Sequence, residues 1–247
     1  NRCIYCNKVC AAVFLILEKR KLELLMSVTV IICACLLAER GWMKVSQEHV
    51  TGRRATRIVV VDAGHGGVDP GKIGVDDSLE KDINLEIAER LKTILEQQDI
   101  QVVMTREEDK GLYEETASNK KAQDLKKRCS LINEGQADCA VSIHQNSYHE
   151  EYVKGAQVFY YGNSGDAERL AELIQTRLKE GVDPENNRQA KANESYYLLK
   201  KTSIPVVIVE CGFLSNWEEA KLLQEEEYQN RIAWAVAMGT IRYLDTR

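Results

Sequence analysis

From residue 57 onward, short β-branched runs alternate with stretches of helical period, and this alternation restricts the chain to a few folds. Residues 58–61 (IVVV) form a continuous β-branched run, the signature of a strand covered on both faces. Residues 79–97 carry apolar side chains at Ile83, Leu85, Ile87, Ala88, Leu91, Ile94 and Leu95, which is helical spacing. Ser78 is the expected N-cap, and Lys81 at the third position leaves no full capping box. Further strands are expected at 100–105, 139–143, 156–161 and 205–209. Further helices are expected at 118–133 (stopped at Gly135), 166–179 (stopped at Gly181), 218–223 and 228–244. Together these predict a single α/β domain: a mixed, mostly parallel sheet with helices on both faces. About 190 residues in one such unit suffice for an adequate core.

The amino-terminal part has a different composition. Residues 1–38 hold five of the eight cysteines and two apolar stretches, 10–17 and the 15-residue run 24–38. Lys19, Arg20 and Lys21 separate them, so the segment reads as a signal peptide or membrane anchor. Leu36 spoils a small-x-small cut after Ala38, which favours an uncleaved anchor with the rest of the chain exported. Cys3, Cys6 and Cys10 lack the spacing of a metal cluster, and Ile32-Cys33-Ala34-Cys35 only weakly resembles an acylation site. Residues 39–56 are polar and unpatterned and are expected to be a linker, which places the folded domain at 57–247. Cys129, Cys139 and Cys211 are too scattered for a disulfide framework. A mean hydropathy of −0.35 excludes a polytopic membrane protein. A net charge of −5, with no basic stripe and interleaved aromatics, argues against nucleic acid as a partner.

Four residues organise the chemistry. His65 ends IVVVDAGH, His144 ends CAVSIH, Glu210 ends PVVIVE, and Glu80 opens the helix at 79–97. In open α/β sheets ligands bind beyond the carboxyl ends of strands, so residues distant in sequence are brought to one rim. Singly, each has an ordinary explanation: a loop histidine, an acid paired with lysine, a first-turn glutamate facing the macrodipole. Jointly they match an open catalytic zinc site of two imidazoles and one carboxylate, with a further carboxylate as base. A carboxylate left unpaired at the end of a buried strand costs several kcal/mol. Two neutral imidazoles and Glu80 around Zn²⁺ leave a net charge of about +1, which Glu210 would bring near neutrality.

Other chemistries fit less well. Gly66 to Lys72 approaches a phosphate loop, but Ile73 stands where Ser or Thr must hold Mg²⁺. The glycines there are better explained by a sharp backbone turn around His65. No H-E-x-x-H occurs, and no Ser or Cys nucleophile has a partner. His49 and His149 lie in polar segments and are expected to be solvated.

At these residues the chain resembles the zinc-dependent N-acetylmuramoyl-L-alanine amidases of the Amidase_3 type. VDAGHGGVDPGKIG is similar to that family's first zinc-histidine loop and LEKDINLEIAERLK to its zinc-glutamate helix. SIHQNS resembles its second zinc-histidine strand, and PVVIVECGFLSN its catalytic-glutamate segment. The resemblance spans about residues 57–245, with the motifs in family order. It implies one zinc ion bound by His65, Glu80 and His144, catalysis by Glu210, and a six-stranded sheet. Within the family the chain looks most like the short germination-specific amidases of endospore formers, with one amino-terminal apolar segment and no wall-binding repeats. That implies peptidoglycan as substrate, a role in cortex maturation through muramic-δ-lactam or in wall turnover, and an exported location, such as the forespore intermembrane space.

The implied reaction cleaves the amide between muramic acid and L-alanine. Asn146, on the same side of an extended segment as His144, is expected to orient substrate. Asp62 is expected to support a ligand histidine. Cys211 should point away from the site. The segment between Arg106 and Gln123 is too short for an inserted domain, so an open groove is expected rather than a plugged one. A zinc peptidase on stem peptides, a non-catalytic wall-binding module and a protein needing an activator are the rival readings.

Overall fold

A computed structural model describes Met26, Ile32, Cys33 and residues 56–246. The expected anchor at 1–38 and linker at 39–56 therefore lie almost wholly outside the described residues. No helix among the described residues is long and apolar enough to cross a membrane. Thr56–Arg247 forms one compact unit.

That unit contains β1 (Ile58–Ala63), α1 (Glu80–Glu96), β2 (Gln101–Met104), α2 (Lys120–Glu134), β3 (Cys139–Asn146) and β4 (Gln157–Tyr160). There follow α3 (Gly165–Gly181), β5 (Lys191–Ala192), α4 (Tyr197–Lys201), β6 (Val206–Phe213), α5 (Trp217–Leu222) and α6 (Glu226–Asp245). The 6-stranded sheet has the order β2-β1-β3-β6-β4-β5. Every pairing is parallel except β4 with β6. The expected mixed, mostly parallel six-stranded sheet is thus present.

Strand alternation sorts the core into two layers. Val59 and Val61 of β1, Val141 and Ile143 of β3, and Val207 and Val209 of β6 pack with Ile87 and Leu91 of α1, Ile174 of α3 and Ile232 of α6. On the other face Val60, Ala140, Val206 and Ile208 meet Cys129 and Ile132 of α2 and Leu198 and Leu199 of α4. The first face, to which α5 adds Ala220, is the larger core. The two-helix face leaves room beside the ends of β3 and β6, and the cleft described below opens there. Cys211 belongs to the first layer, as expected from its odd position relative to Glu210.

Several local expectations need correction. Leu79, not Ser78, caps α1, and it makes no side-chain cap bond. Ser78 is diverted to Asp76, its Oγ donating to Oδ1 at 2.6 Å. α2 begins later than expected because Asn119 is its cap, accepting from the Ala122 amide. β3 and β6 do not stop before His144 and Glu210 but run through them, and the two residues are register partners across the sheet. The irregular stretch after Arg188 forms the short β5 and α4, which periodicity over so few residues cannot reveal.

Candidate metal centre

β1, β3 and β6 are adjacent and parallel, so their carboxyl ends share one rim with strands about 4.8 Å apart. Ala63 is the register partner of Ile143, which places His65 just past β1 beside His144. The two imidazoles stand edge to face with centroids 5.0 Å apart. The turn after His65 brings α1 back to the same rim: the Glu80 amide donates to the Lys72 carbonyl at 3.0 Å. Ligand atoms of His65, Glu80 and His144 all lie within 4.8 Å of one another.

The backbone makes this convergence possible at two glycines. A Cβ on Gly64 would lie 2.3 Å from the His144 ring. Gly71 has φ +69 and passes so close to Glu80 that a Cβ would lie 2.5 Å from its Oε2.

Glu80 is 2% exposed and heavily engaged. Its Oε2 accepts from the Lys72 amide at 2.8 Å, and its Oε1 accepts from the Gln145 amide at 3.1 Å. Oε1 also lies 3.0 Å from His144 Nδ1 and 3.3 Å from His65 Nε2. Burial alone would raise this carboxyl, but the two imidazoles hold it well below the usual carboxylate range. Burial would lower the His65 imidazole, and Glu80 and Asp69 more than reverse this, so its pKa is raised. Asp69 Oδ2 sits 3.0 Å from His65 Nδ1, which orients the ring and presents Nε2 to the cluster.

Glu210 is different in kind. It is 7% exposed, and burial, followed by repulsion from Glu80, outweighs the attraction of His144 and pushes its pKa up to about 7. Tyr196 donates from its hydroxyl to Oε1 at 3.4 Å, while the buried Oε2 has no hydrogen-bond partner among the described residues. The Tyr196 hydroxyl is itself pushed up to about 12 by burial and by Glu210, so it remains a donor at neutral pH. The site therefore holds one carboxylate kept ionised among imidazoles and one poised to exchange a proton near pH 7.

These residues suit a zinc ion: two imidazole nitrogens and one carboxylate oxygen converge, and a buried carboxylate oxygen without a protein partner lies on the same cleft. His65, Glu80, His144, Asn146 and Glu210 all line a cleft of about 560 Å³. Of the residues between Arg106 and Gln123, Lys121 lines this cleft. Asn146 Oδ1 accepts from the Ser147 amide at 2.8 Å, a turn-stabilising bond. His149 is exposed, as expected.

Asp62 is corrected. It accepts from Thr105 Oγ1, Ser142 Oγ and Arg128 Nη1 rather than from an imidazole. Its side chain points to the α2 face of the sheet, where Arg128 holds its carboxyl down to about 2 against the raising effect of burial. The acid beside an imidazole is instead Asp69, four residues past His65, which the sequence expectations did not include. Tyr196 carried no comparable signal, since its segment lacks periodicity.

Residues 59–242 match the family model described as N-acetylmuramoyl-L-alanine amidase, Amidase_3. The germination-specific N-acetylmuramoyl-L-alanine amidase of Bacillus subtilis is 40% identical over 190 residues, 76% of this chain and 79% of that protein. The CwlD amidase from Clostridioides difficile, solved in complex with the GerS lipoprotein, superposes with a TM-score of 0.76 at 42% identity, covering 78% of this chain and 100% of that one. An N-acetylmuramoyl-L-alanine amidase from Clostridium difficile 630 superposes with a TM-score of 0.70 at 31% identity, covering 78% and 98%. With its sheet order, its four motifs and these matches in agreement, the chain belongs to the Amidase_3 family of N-acetylmuramoyl-L-alanine amidases.

Proposed function

We propose that this chain hydrolyses the amide between the lactyl group of N-acetylmuramic acid and L-alanine in peptidoglycan, with one zinc ion held by His65, Glu80 and His144 and with Glu210 as acid and base. The observation that carries this reading is that a His–Glu–His cluster and a second, buried carboxylate share one open cleft. Zinc bound there supplies a Lewis acid that polarises the amide carbonyl and lowers the pKa of water from about 15.7 to about 7. Glu210 takes a proton from the attacking water and returns one to the leaving amine. A carboxyl whose pKa burial has moved toward 7 can serve both halves of that cycle. Tyr196 engages Oε1 and leaves Oε2 for the proton transfer. Asn146, on the cleft wall, orients the substrate.

The Bacillus subtilis relative, germination-specific by name, supports a role in the spore cortex. The lipoprotein bound to the CwlD amidase supports a protein partner for this chain as well. The apolar run at 24–38 supports membrane anchoring, with the catalytic domain at 57–247 on the extracytoplasmic side, where peptidoglycan lies.

The test is zinc content and product release from purified peptidoglycan, for wild type and Glu210→Gln. The expected result is one zinc per chain in both, with whole stem peptides beginning at L-alanine released by wild type alone. Cleavage within the stem peptide would indicate a zinc peptidase instead. Release only on addition of a lipoprotein partner would establish dependence on that partner.

A further inference from the structure

We infer that Arg128, assisted by Arg106, is a positioning residue that sets how tightly the cluster holds its metal, by clamping the backbone that presents His65. The inference rests on the zinc reading above.

His65 adopts φ +62, a left-handed conformation that a residue with a Cβ rarely takes unless its surroundings impose it. The surroundings here are three consecutive carbonyl groups held by side chains from α1, α2 and the loop after β2. The Ala63 carbonyl accepts from Arg106 Nε at 2.9 Å and from Arg128 Nη1 at 2.7 Å. The Gly64 carbonyl accepts from Arg106 Nη2 and from Asn84 Nδ2, each at 3.1 Å. The His65 carbonyl accepts from Arg128 Nη2 at 2.6 Å. Neither arginine reaches an imidazole or Glu80, so neither has a part in the proton transfers. Both are buried, at 2% and 4% exposure, and Arg128 stands on the cleft wall.

Arg128 is itself fixed. Its Nε donates to Asp124 Oδ2 one turn earlier in α2, and its Nη1 donates to Asp62 Oδ1. Two buried or half-buried acids therefore neutralise it and aim its fork at the loop. A planar guanidinium can hold the carbonyls of Ala63 and His65 at once, whereas a lysine ammonium is a single point of donation. The residue between those two carbonyls is Gly64, over which the His144 ring lies. The clamp thus sets the spacing of both imidazoles. Supporting groups around metal ligands are worth about 10- to 100-fold in metal affinity.

The experiment is zinc affinity of the full chain, by chelator competition, for wild type and Arg128→Lys. Circular dichroism and metal-free melting are recorded alongside, together with the visible d–d bands of the Co²⁺-loaded proteins. Lysine keeps the charge beside Asp62 and Asp124 and removes the fork. The expected result is folded protein with zinc affinity lowered about 10- to 100-fold and altered Co²⁺ bands. Lower melting with unchanged affinity and unchanged bands would make Arg128 a structural residue only and overturn the inference. Zinc binding absent from the wild type would overturn the metal reading and the inference with it. Should Arg128→Lys not fold, Asp124→Asn carries the test: the arginine stays but its Nε loses its charged partner, and zinc affinity falls several-fold. Unchanged affinity in that variant overturns the inference equally.

Discussion

Replacing Glu210 by glutamine will change how the stability of the metal-free protein depends on pH, and the size of the change follows from burial. In the unfolded chain this carboxyl titrates near 4.5; in the fold it titrates near 7. Below 4.5 it is protonated in both states and contributes no pH dependence. Between 4.5 and 7 the unfolded chain releases the proton and the fold retains it, so stability falls as pH rises. Above 7 the ionised group sits among buried atoms and the full cost remains, about 3 kcal/mol at 1.36 kcal/mol per pH unit. Glutamine has nothing to titrate and can still accept from Tyr196. The assay is urea unfolding of both proteins in excess chelator at a series of pH values from 5 to 8.5. The expected outcome is that Glu210→Gln gains on wild type by roughly 2–3 kcal/mol across that range. The other titrating groups, Glu80 and Asp62 among them, act in both proteins and largely cancel in the difference. A difference that stays constant within about 0.5 kcal/mol would refute the raised pKa of Glu210.

Three further outcomes are expected. Asp69→Ala removes the group that orients His65 Nδ1, and zinc affinity measured by chelator competition will fall about 10- to 100-fold; an unchanged affinity would mean that the ring is held by packing. Gly64→Ala places a methyl 2.3 Å from the His144 ring, so zinc content after purification will be lost while circular dichroism still reports a folded domain. Tyr196→Phe removes a donor that lowers the Glu210 pKa, so the acid limb of the kcat/KM profile will move to higher pH and kcat will fall about 5-fold; an unmoved limb would show that the hydroxyl does not act on Glu210.

What the residues alone determined is what repeats or what chemistry demands. The continuous apolar run at 58–61 specifies a strand buried on both faces, and the helical spacing of Ile83, Ile87, Leu91 and Leu95 specifies a helix buried on one. From the alternation of such segments the layered α/β sheet follows. His65, Glu80, His144 and Glu210 were visible for a related reason, since polar residues abutting apolar runs are costly unless they meet a partner.

The tertiary structure decided the contacts that leave no periodic trace. Asp62 and Asp69 flank the same histidine in sequence, but strand alternation turns Asp62 toward α2 and Arg128, while the loop folds Asp69 back onto His65. Arg128 is one cation in a charged helix and looks like any solvated lysine beside it until α2 packs on the sheet. Tyr196 comes from a segment without pattern and reaches Glu210 only because α4 docks on β6 through Leu198 and Leu199. Local sequence encodes burial, which is a property of one face of one element. Which charged group meets which depends on how elements are laid side by side, and here that is settled by the parallel register of β1, β3 and β6.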